Sequence, residues 1–306
     1  MISIVITNWN GKELLAECLP SVIRAVKFDK ENDYEIIVVD DCSSDTSVEF
    51  VRENFKEVKV VRPPQNLGFQ GAANLGVRAA KAEIVVILNN DIKLREDCLR
   101  PLFTHFKDGQ IFAVSSKAYG WDEKTFLYGR RGASFKAGHF NIYNNEETNE
   151  VCDTSFVTGG AAAFDREKFL GLGGYDQMFH PLYYEDVDIC YRAWKRGWRS
   201  VYEPESVVYH KHQATITTQY KKREIGYISA RNNYLFTWKN ITDLPLTLSH
   251  LLFAPLFLIR DLFKGKLRFW IAILNALPRL PRAIESRLKE RPYQRVKDRD
   301  LLKLIG

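Results

Sequence analysis

Short runs of Val, Ile and Leu alternate along the first third of the chain with stretches whose apolar side chains recur every three or four positions. Residues 2–6, 35–39, 58–62 and 84–88 are nearly continuous in aliphatic side chains, the pattern of strands covered on both faces. Residues 13–26, 46–54 and 71–80 show helical spacing between them. This alternation predicts an α/β architecture, a mostly parallel sheet flanked by helices. Ligands of such sheets bind beyond the carboxyl ends of the strands. Three of those ends are polar here: Thr7-Asn8-Trp9-Asn10-Gly11, Asp40-Asp41-Cys42-Ser43-Ser44-Asp45 and Asn89-Asn90-Asp91. Ser44 and Asp45 suit helix capping. Asp40, Asp41 and Asp91 crowd negative charge on one rim, which is unfavourable unless a cation or a ligand donor group lies between them.

Further along, 119–151 lacks periodicity and reads as a long functional loop. Thr158-Gly159-Gly160-Ala161-Ala162-Ala163-Phe164 lets a backbone approach something bulky, and a tightly packed strand has the same composition. The densest chemistry is Tyr183-Tyr184-Glu185-Asp186-Val187-Asp188, a loop entering a helix. Asp188 is placed to pair with Arg192 one turn on. Glu185 and Asp186 are more than dipole compensation requires, and a carboxylate at a cleft edge is what a general base needs. The apolar run 206–209 then delivers His210, with His212 two residues later. A lone strand-end histidine is a structural feature in most settings, whereas an imidazole near Asp91 completes a metal site.

Composition narrows the class. The 306 residues are 45% hydrophobic and 27% charged, values of a globular chain. Five scattered cysteines resemble neither a zinc site nor a disulfide framework and read as reduced thiols. The net charge of +6 is unevenly placed: from Ile241 onward there are 13 Lys and Arg against 6 Asp and Glu, which leaves 31 against 32 before it. A basic tail also rich in Leu, Phe, Trp and Ile fits an anionic membrane surface better than nucleic acid, the plainer alternative being a solvated helical face. Met1 leads directly into an apolar run without a basic leader, so a cytoplasmic location is expected, peripheral on the inner face of the cell membrane. The stretch 251–259, interrupted by Pro255 and closed by Arg260-Asp261, falls short of the ~20 residues of a membrane span. The expected division is a catalytic domain over 1–240, with a nucleotide-binding half to about 92 and an acceptor-binding half over 93–240, followed by a basic amphipathic helical tail over 241–306.

In order and spacing, several segments together resemble the family 2 glycosyltransferases, specifically a bacterial rhamnosyltransferase-like branch. They are Val5-Ile6-Thr7-Asn8-Trp9-Asn10-Gly11, Val39-Asp40-Asp41-Cys42-Ser43-Ser44-Asp45, Asn66-Leu67-Gly68-Phe69 with Asn74, and Leu88-Asn89-Asn90-Asp91. Thr158-Gly159-Gly160, Gly173-Gly174-Tyr175-Asp176, Tyr184-Glu185-Asp186-Val187-Asp188, His210 and Arg231-Asn232 continue the series. The resemblance implies the GT-A fold and an inverting transfer of a sugar from a nucleoside-diphosphate sugar to a hydroxyl of a glycan or lipid-linked acceptor in cell-surface polysaccharide assembly. It implies that Thr7 and Asp41 contact the nucleotide base. Asn8, Trp9, Asn66, Gly68, Asn90, Gly159 and Gly160 would complete the nucleotide-sugar site. Asp91, the last acid of an Asp-x-Asp motif, would bind Mg²⁺ or Mn²⁺ with His210. Asp186 would be the general base, with Glu185 orienting the acceptor or sharing that role.

Two positions depart from the family pattern: Asn89 stands first in the Asp-x-Asp motif, and Gln213 stands where relatives often carry Gly three residues after the histidine. The first leaves fewer anionic metal ligands; the second leaves His210 and His212 as alternative ligands. A homodimer through the tail competes with membrane docking. Two other classes are weighed: a sugar-1-phosphate nucleotidyltransferase, whose Gly-rich basic loop is missing after the first strand, and a non-catalytic nucleotide-sugar binder, which has no need of Glu185, Asp186 and Asp91. A dinucleotide oxidoreductase would need Gly-x-Gly-x-x-Gly at that place, and it is absent.

Overall fold

A computed structural model describes residues 1–144, 147–211, 220–265 and 267–306. The chain opens with β1 (Ile2–Asn8), α1 (Lys12–Phe28), β2 (Tyr34–Asp40), α2 (Ser47–Asn54), β3 (Val58–Val61), α3 (Gly68–Ala79) and β4 (Ile84–Asn89). All seven elements were predicted from the apolar pattern, and their ends shift by no more than a turn. β1 pairs in parallel with β2 and with β4, and β2 with β3. Alternate residues feed two cores. Val5, Ile37, Val39, Val85 and Ile87 face one buried cluster, and Ile4, Ile6, Val38, Val86 and Leu88 face the other. Burial on both faces is why these strands read as unbroken apolar runs.

The second half adds β5 (Ile92–Leu94), α4 (Leu99–Thr104), β6 (Ile111–Gly120), β7 (Phe126–Tyr128), β8 (Arg131–Lys136), β9 (His139–Asn144), β10 (Cys152–Asp153), β11 (Ala161–Asp165), α5 (Arg166–Gly171), α6 (Glu185–Lys195) and β12 (Arg199–His210). The main sheet runs β10-β12-β6-β11-β4-β1-β2-β3, with β5 on β12 and β7 on β6. β11 is antiparallel to both neighbours, while β6 and β12 are parallel. Of the two readings of 158–164, the packed strand holds from Ala161 onward, because its alanines pair directly with β4 and β6.

The structure corrects the reading of 119–151 as a loop. It carries the end of β6, then β7 and a β8–β9 hairpin turned at Ala137 and Gly138, both at positive φ. Ala-Gly is a weak turn signal beside Asn-Gly or Asp-Gly, so the hairpin is inconspicuous in sequence. The strand expected over 206–209 is the end of the 12-residue β12, whose register shifts between Glu203 and Val207. Pro204 lies in that irregularity, where a missing N–H costs no ladder bond.

After β12 come α7 (Lys222–Asn240), α8 (Leu244–Phe263), α9 (Arg268–Ala276), α10 (Leu280–Glu290) and α11 (Asp298–Leu304). α7 buries Arg231, Asn232, Thr237, Lys239 and Asn240 along with Ala230, Tyr234, Leu235 and Phe236, so polar residues interrupt the apolar periodicity of its inner face. Pro255 does not interrupt α8, which runs for 20 residues and is the one helix among the described residues long and apolar enough to cross a membrane. The expectation that this stretch falls short is corrected accordingly: Pro255 is accommodated within the helix. Residues of 241–306 join the first cluster through Ala254, Ala272, Ala276, Ala283, Leu301 and Ile305. Asp298, fully buried, fastens the end of the chain: it accepts from Tyr191 Oη (2.8 Å), Lys195 Nζ (2.7 Å) and the backbone N–H groups of Thr242 (2.6 Å) and Asp243 (2.7 Å).

Candidate active site

The carboxyl ends of β1, β2, β4 and β12, the turn before β11 and the starts of α3 and α6 surround one cavity of about 720 Å³. Every predicted site residue lines it: Thr7, Asn8, Trp9, Asp41, Asn66, Gly68, Asn90, Asp91, Gly159, Gly160, Glu185, Asp186 and His210. His212 and Gln213 lie outside the described residues.

Around the strand ends, polar side chains bind one another and shape the floor. Asn8 Nδ2 donates to Asp40 Oδ1 at 3.0 Å, and Asn90 Nδ2 donates to Asn8 Oδ1 at 2.7 Å. Asp40 also accepts from Ser43 N at 3.1 Å and lies 3.4 Å from Arg62 Nε. Its charge is therefore largely matched by the scaffold, which eases the expected crowding of three acids on one rim, although it still adds to the rise in the pKa of Asp41. Asp41 remains at the cavity, with Oδ1 accepting from Leu67 N at 2.7 Å and its carbonyl accepting from Asn66 Nδ2 at 2.8 Å. Burial raises the pKa of its carboxyl above the ordinary range. Asp45 caps, but for two helices, accepting from Lys12 N at 3.1 Å and Ser47 N at 3.0 Å. Ser44 does not cap; its N–H and hydroxyl donate to Asn10 Oδ1 at 2.7 and 3.2 Å.

Two glycines are required by close approach. Gly68 has φ +69°, and a Cβ there would lie 2.7 Å from His180 Nδ1. At Gly160 a Cβ would stand 2.3 Å from Asn89 Cγ, so the turn before β11 presses on the residue in the first place of the Asp-x-Asp pattern. Asn89 is thereby held against the Thr158–Gly160 turn, with Thr7 Oγ1 at 3.5 Å from its Oδ1.

Asp91 and His210 meet as the resemblance implies, with Asp91 Oδ1 3.3 Å from His210 Nε2. Asp91 Oδ1 is buried without a hydrogen-bond partner, a costly condition in a native interior unless something binds there. Tyr128 Oη lies 2.9 Å from His210 Nδ1. When Nδ1–H donates to Tyr128, Nε2 presents a lone pair toward Asp91, as in a metal-ligating histidine whose other ring nitrogen is fixed by a hydrogen bond. Among the described residues no set of three His, Cys, Asp or Glu converges on one point. The pair fits a divalent cation that draws its remaining ligands from a substrate or water.

The acidic end is built by an unusual backbone. Tyr183 and Tyr184 take φ of 68° and 78°, costly for bulky residues, and the next residue begins α6. Three consecutive residues of α7 hold this turn. Asn232 Nδ2 lies 2.9 Å from the carbonyls of Phe179, Leu182 and Tyr183, Arg231 Nη2 donates to His180 O at 2.6 Å, and Asn233 Nδ2 donates to Tyr184 Oη at 2.7 Å. Glu185 Oε2 accepts from Gln70 Nε2 at 3.2 Å. Asp186 Oδ1 accepts from Val187 N at 2.8 Å and Oδ2 from Gly159 N at 3.4 Å. Both carboxyls are raised above the usual range. Burial is the first cause for each, and the Asp186 charge adds to the effect on Glu185. Asp188 is scaffold: it pairs with Arg192, as its spacing predicted, and with Lys239 (2.9 Å) and Asn240 (2.9 Å).

Cavity residues that the sequence did not single out are Tyr128, Arg131, Ile142, Phe156, His180 and Tyr220 among others. Arg131 stacks 4.9 Å from the Tyr128 ring and 5.5 Å from Phe156, and its charge counteracts the burial of Asp186. Arg131 and Tyr128 fall in the segment read as loop, so recognising that hairpin was the signal needed to find them. Asn74 shares both sides of its amide with the backbone of Tyr175, at 2.8 Å each, so it clasps the Gly173–Tyr175 turn from behind the cavity.

The sequence profile of Glycosyl transferase family 2 matches residues 3–172, more than half of the chain. The pre-mycofactocin glycosyltransferase of Mycobacterium tuberculosis is 28% identical over 186 residues, 59% of this chain and 38% of that protein. The chain thus spans well under half the length of that curated relative. Among solved structures, S. aureus TarS 1–349 in complex with UDP-GlcNAc superposes with a TM-score of 0.58 at 14% identity, covering 99% of this chain and 89% of that one. Mannosyltransferase PcManGT from Pyrobaculum calidifontis, in complex with GDP-Man and Mn²⁺, gives 0.57 at 17% identity, covering 95% and 85%. At these identities the likeness establishes the fold, GT-A.

Proposed function

Because the chain belongs to glycosyl transferase family 2, we propose that it transfers a sugar from a nucleoside-diphosphate sugar to a hydroxyl of a glycan or lipid-linked acceptor, inverting the anomeric centre. The observation that carries this reading is the meeting of a carboxylate pair at the start of α6 with the Asp91–His210 pair in one cavity, floored by the strand-end polar residues. Thr7, Asp41, Asn66 and Gly68 take the nucleotide, and Asn8, Trp9, Asn90, Gly159 and Gly160 line the path toward the sugar. The nucleotide sugars and Mn²⁺ held by the two structural neighbours support a donor of this class.

Asp91 and His210 would hold the divalent cation, Mg²⁺ or Mn²⁺, which would supply Lewis-acid neutralisation of the diphosphate's growing charge. Asp186, part-exposed to the cavity, accepts the proton of the acceptor hydroxyl. Its raised pKa makes it a stronger base once ionised, and the Arg131 charge limits that rise. Glu185 is more deeply buried, its pKa raised by that burial and by the Asp186 charge, and, held by Gln70, it orients the acceptor. A single displacement with one base and no covalent intermediate inverts configuration. The rhamnosyltransferase-like branch and a role in cell-surface polysaccharide assembly belong to the same proposal, supported by the ordered motifs from Thr7 to Asn232.

The test is a thermal-shift panel of nucleotide sugars with Mn²⁺, followed by NMR of the product formed from the stabilising donor. A donor that binds tightly raises the melting temperature by mass action, and the transferred sugar has the opposite anomeric configuration. Retention of configuration, or indifference to every nucleotide sugar, refutes the proposal.

A further inference from the structure

Leu248, Leu252, Leu256, Ile259 and Phe263 recur at helical spacing along one face of α8, and all are exposed, Leu252 to 63% and Phe263 to 88%. On the opposite face, His250, Ala254 and Asp261 are buried. That face is bonded to the protein: His250 Nδ1 lies 2.7 Å from Gly138 O, Trp238 Nε1 donates to His250 Nε2 at 3.0 Å, and Asp261 Oδ2 accepts from Phe269 N at 3.0 Å. The exposed stripe continues through Leu267 and Leu274. Contiguous apolar exposure on this scale marks an interaction surface.

Charge selects the partner. Residues 244–276 contain Arg260, Lys264, Lys266 and Arg268 and a single acid, Asp261, which is buried. A second copy applied by two-fold symmetry would set this cationic, acid-free face against itself. We infer that the exposed face of α8, continued by α9, is a docking surface for an anionic lipid bilayer, with α8 lying in the plane of the interface. Its apolar stripe enters the headgroup and acyl boundary while the basic residues reach the phosphates. Although α8 is long enough to cross a bilayer, crossing would strip His250 and Asp261 of their partners and place them in hydrocarbon. Docking also sets the cavity beside the lipid. The β8–β9 turn at Gly138 packs on α8 near His250 and Phe253, Ile142 of the same hairpin lines the cavity, and the Arg268 charge acts on the Tyr184 hydroxyl at its wall. The inference stands independently of the transfer chemistry.

Full-chain protein is sedimented with vesicles of phosphatidylcholine alone and of phosphatidylcholine with phosphatidylglycerol, over a range of salt. Binding is expected only to the anionic vesicles, falling as salt rises, and alkaline carbonate should release the protein. Lys264→Ala, at an exposed position, should weaken partitioning about fivefold. The double variant Leu252→Glu, Leu256→Glu should weaken it at least about tenfold while melting like the parent; if that variant does not fold, Lys264→Ala alone decides. Indifference to anionic vesicles at low salt, equal binding to neutral ones, resistance to carbonate, or a concentration-dependent dimer that the leucine variant dissolves would each overturn the inference.

Discussion

Asp186→Asn separates catalysis from architecture because the amide preserves nearly everything but basicity. The oxygen that accepts from Val187 N at 2.8 Å survives as the amide oxygen. The second oxygen, 3.4 Å from Gly159 N, becomes an NH₂ facing a donor, a loss of about 1 kcal/mol at most for so long a contact. Acting the other way, the substitution removes the charge that disfavours ionisation of Glu185. The two effects oppose, so the melting temperature should move by no more than about 2–4 °C, and donor affinity should be unchanged. Turnover should fall by about 10²–10⁴, the usual worth of general-base help, which is about 2.7–5.4 kcal/mol of barrier at about 1.36 kcal/mol per decade. The wild-type rate should rise with pH through a carboxyl pKa above the ordinary range, and that limb should vanish in the variant. Calorimetric titration of the donor, a melting curve and a pH series of single-turnover transfer measure all of this. Turnover within a few-fold of wild type, with the pH limb intact, refutes the assignment and makes Glu185 the first candidate in its place.

Asp91→Ala should weaken cation and donor binding together, because each completes the other's coordination; donor titrations with and without Mn²⁺ that give one common affinity in the variant, well below wild type, are the expected result, and full wild-type activity in EDTA would contradict it. Glu185→Gln should stabilise the fold at alkaline pH and leave it unchanged in acid. The folded pKa of Glu185 is raised, so its contribution is intact below the unfolded carboxyl value and is lost as pH climbs through the folded one, a loss the neutral glutamine does not suffer; melting curves at several pH values read it out. Asn232→Ala should cost about 2–4 kcal/mol in denaturant unfolding, since it leaves buried carbonyls of the 179–183 turn and Arg231 Nε without a partner. It should lower turnover more than donor affinity, because the released turn is what places Glu185 and Asp186.

How far the chain could be read without its structure depended on how local each signal was. Strands β1 to β4 and their helices were legible because burial on both faces leaves long aliphatic runs and helical periodicity that local sequence alone expresses. That the thirteen candidate residues gather at one cavity was legible too, in part because strand ends and helix starts are where such a sheet presents chemistry and in part because their motifs keep the order of the family they resemble. Tertiary structure decided what each acid does. Asp40 and Asp41 are adjacent in sequence, yet Arg62, Asn8 and Ser43 claim the first while the second stays at the cavity; two of those three partners are distant in sequence. For Asp188 the spacing to Arg192 already pointed to a scaffold role, and the side of α6 that meets Lys239 and Asn240 completes it. The β8–β9 hairpin, and with it Arg131, stayed hidden because its turn lacks a strong local preference and its pairing is resolved only by packing. α7 was illegible for a related reason. Its buried face mixes Tyr234, Leu235 and Phe236 with polar residues, and Arg231, Asn232 and Asn233 make sense only beside a strained turn some fifty residues earlier in the chain. The apolar character of α8 was plain in the sequence, but which of its faces the protein covers and which it leaves exposed was settled by the placement of His250, Ala254 and Asp261 in three dimensions.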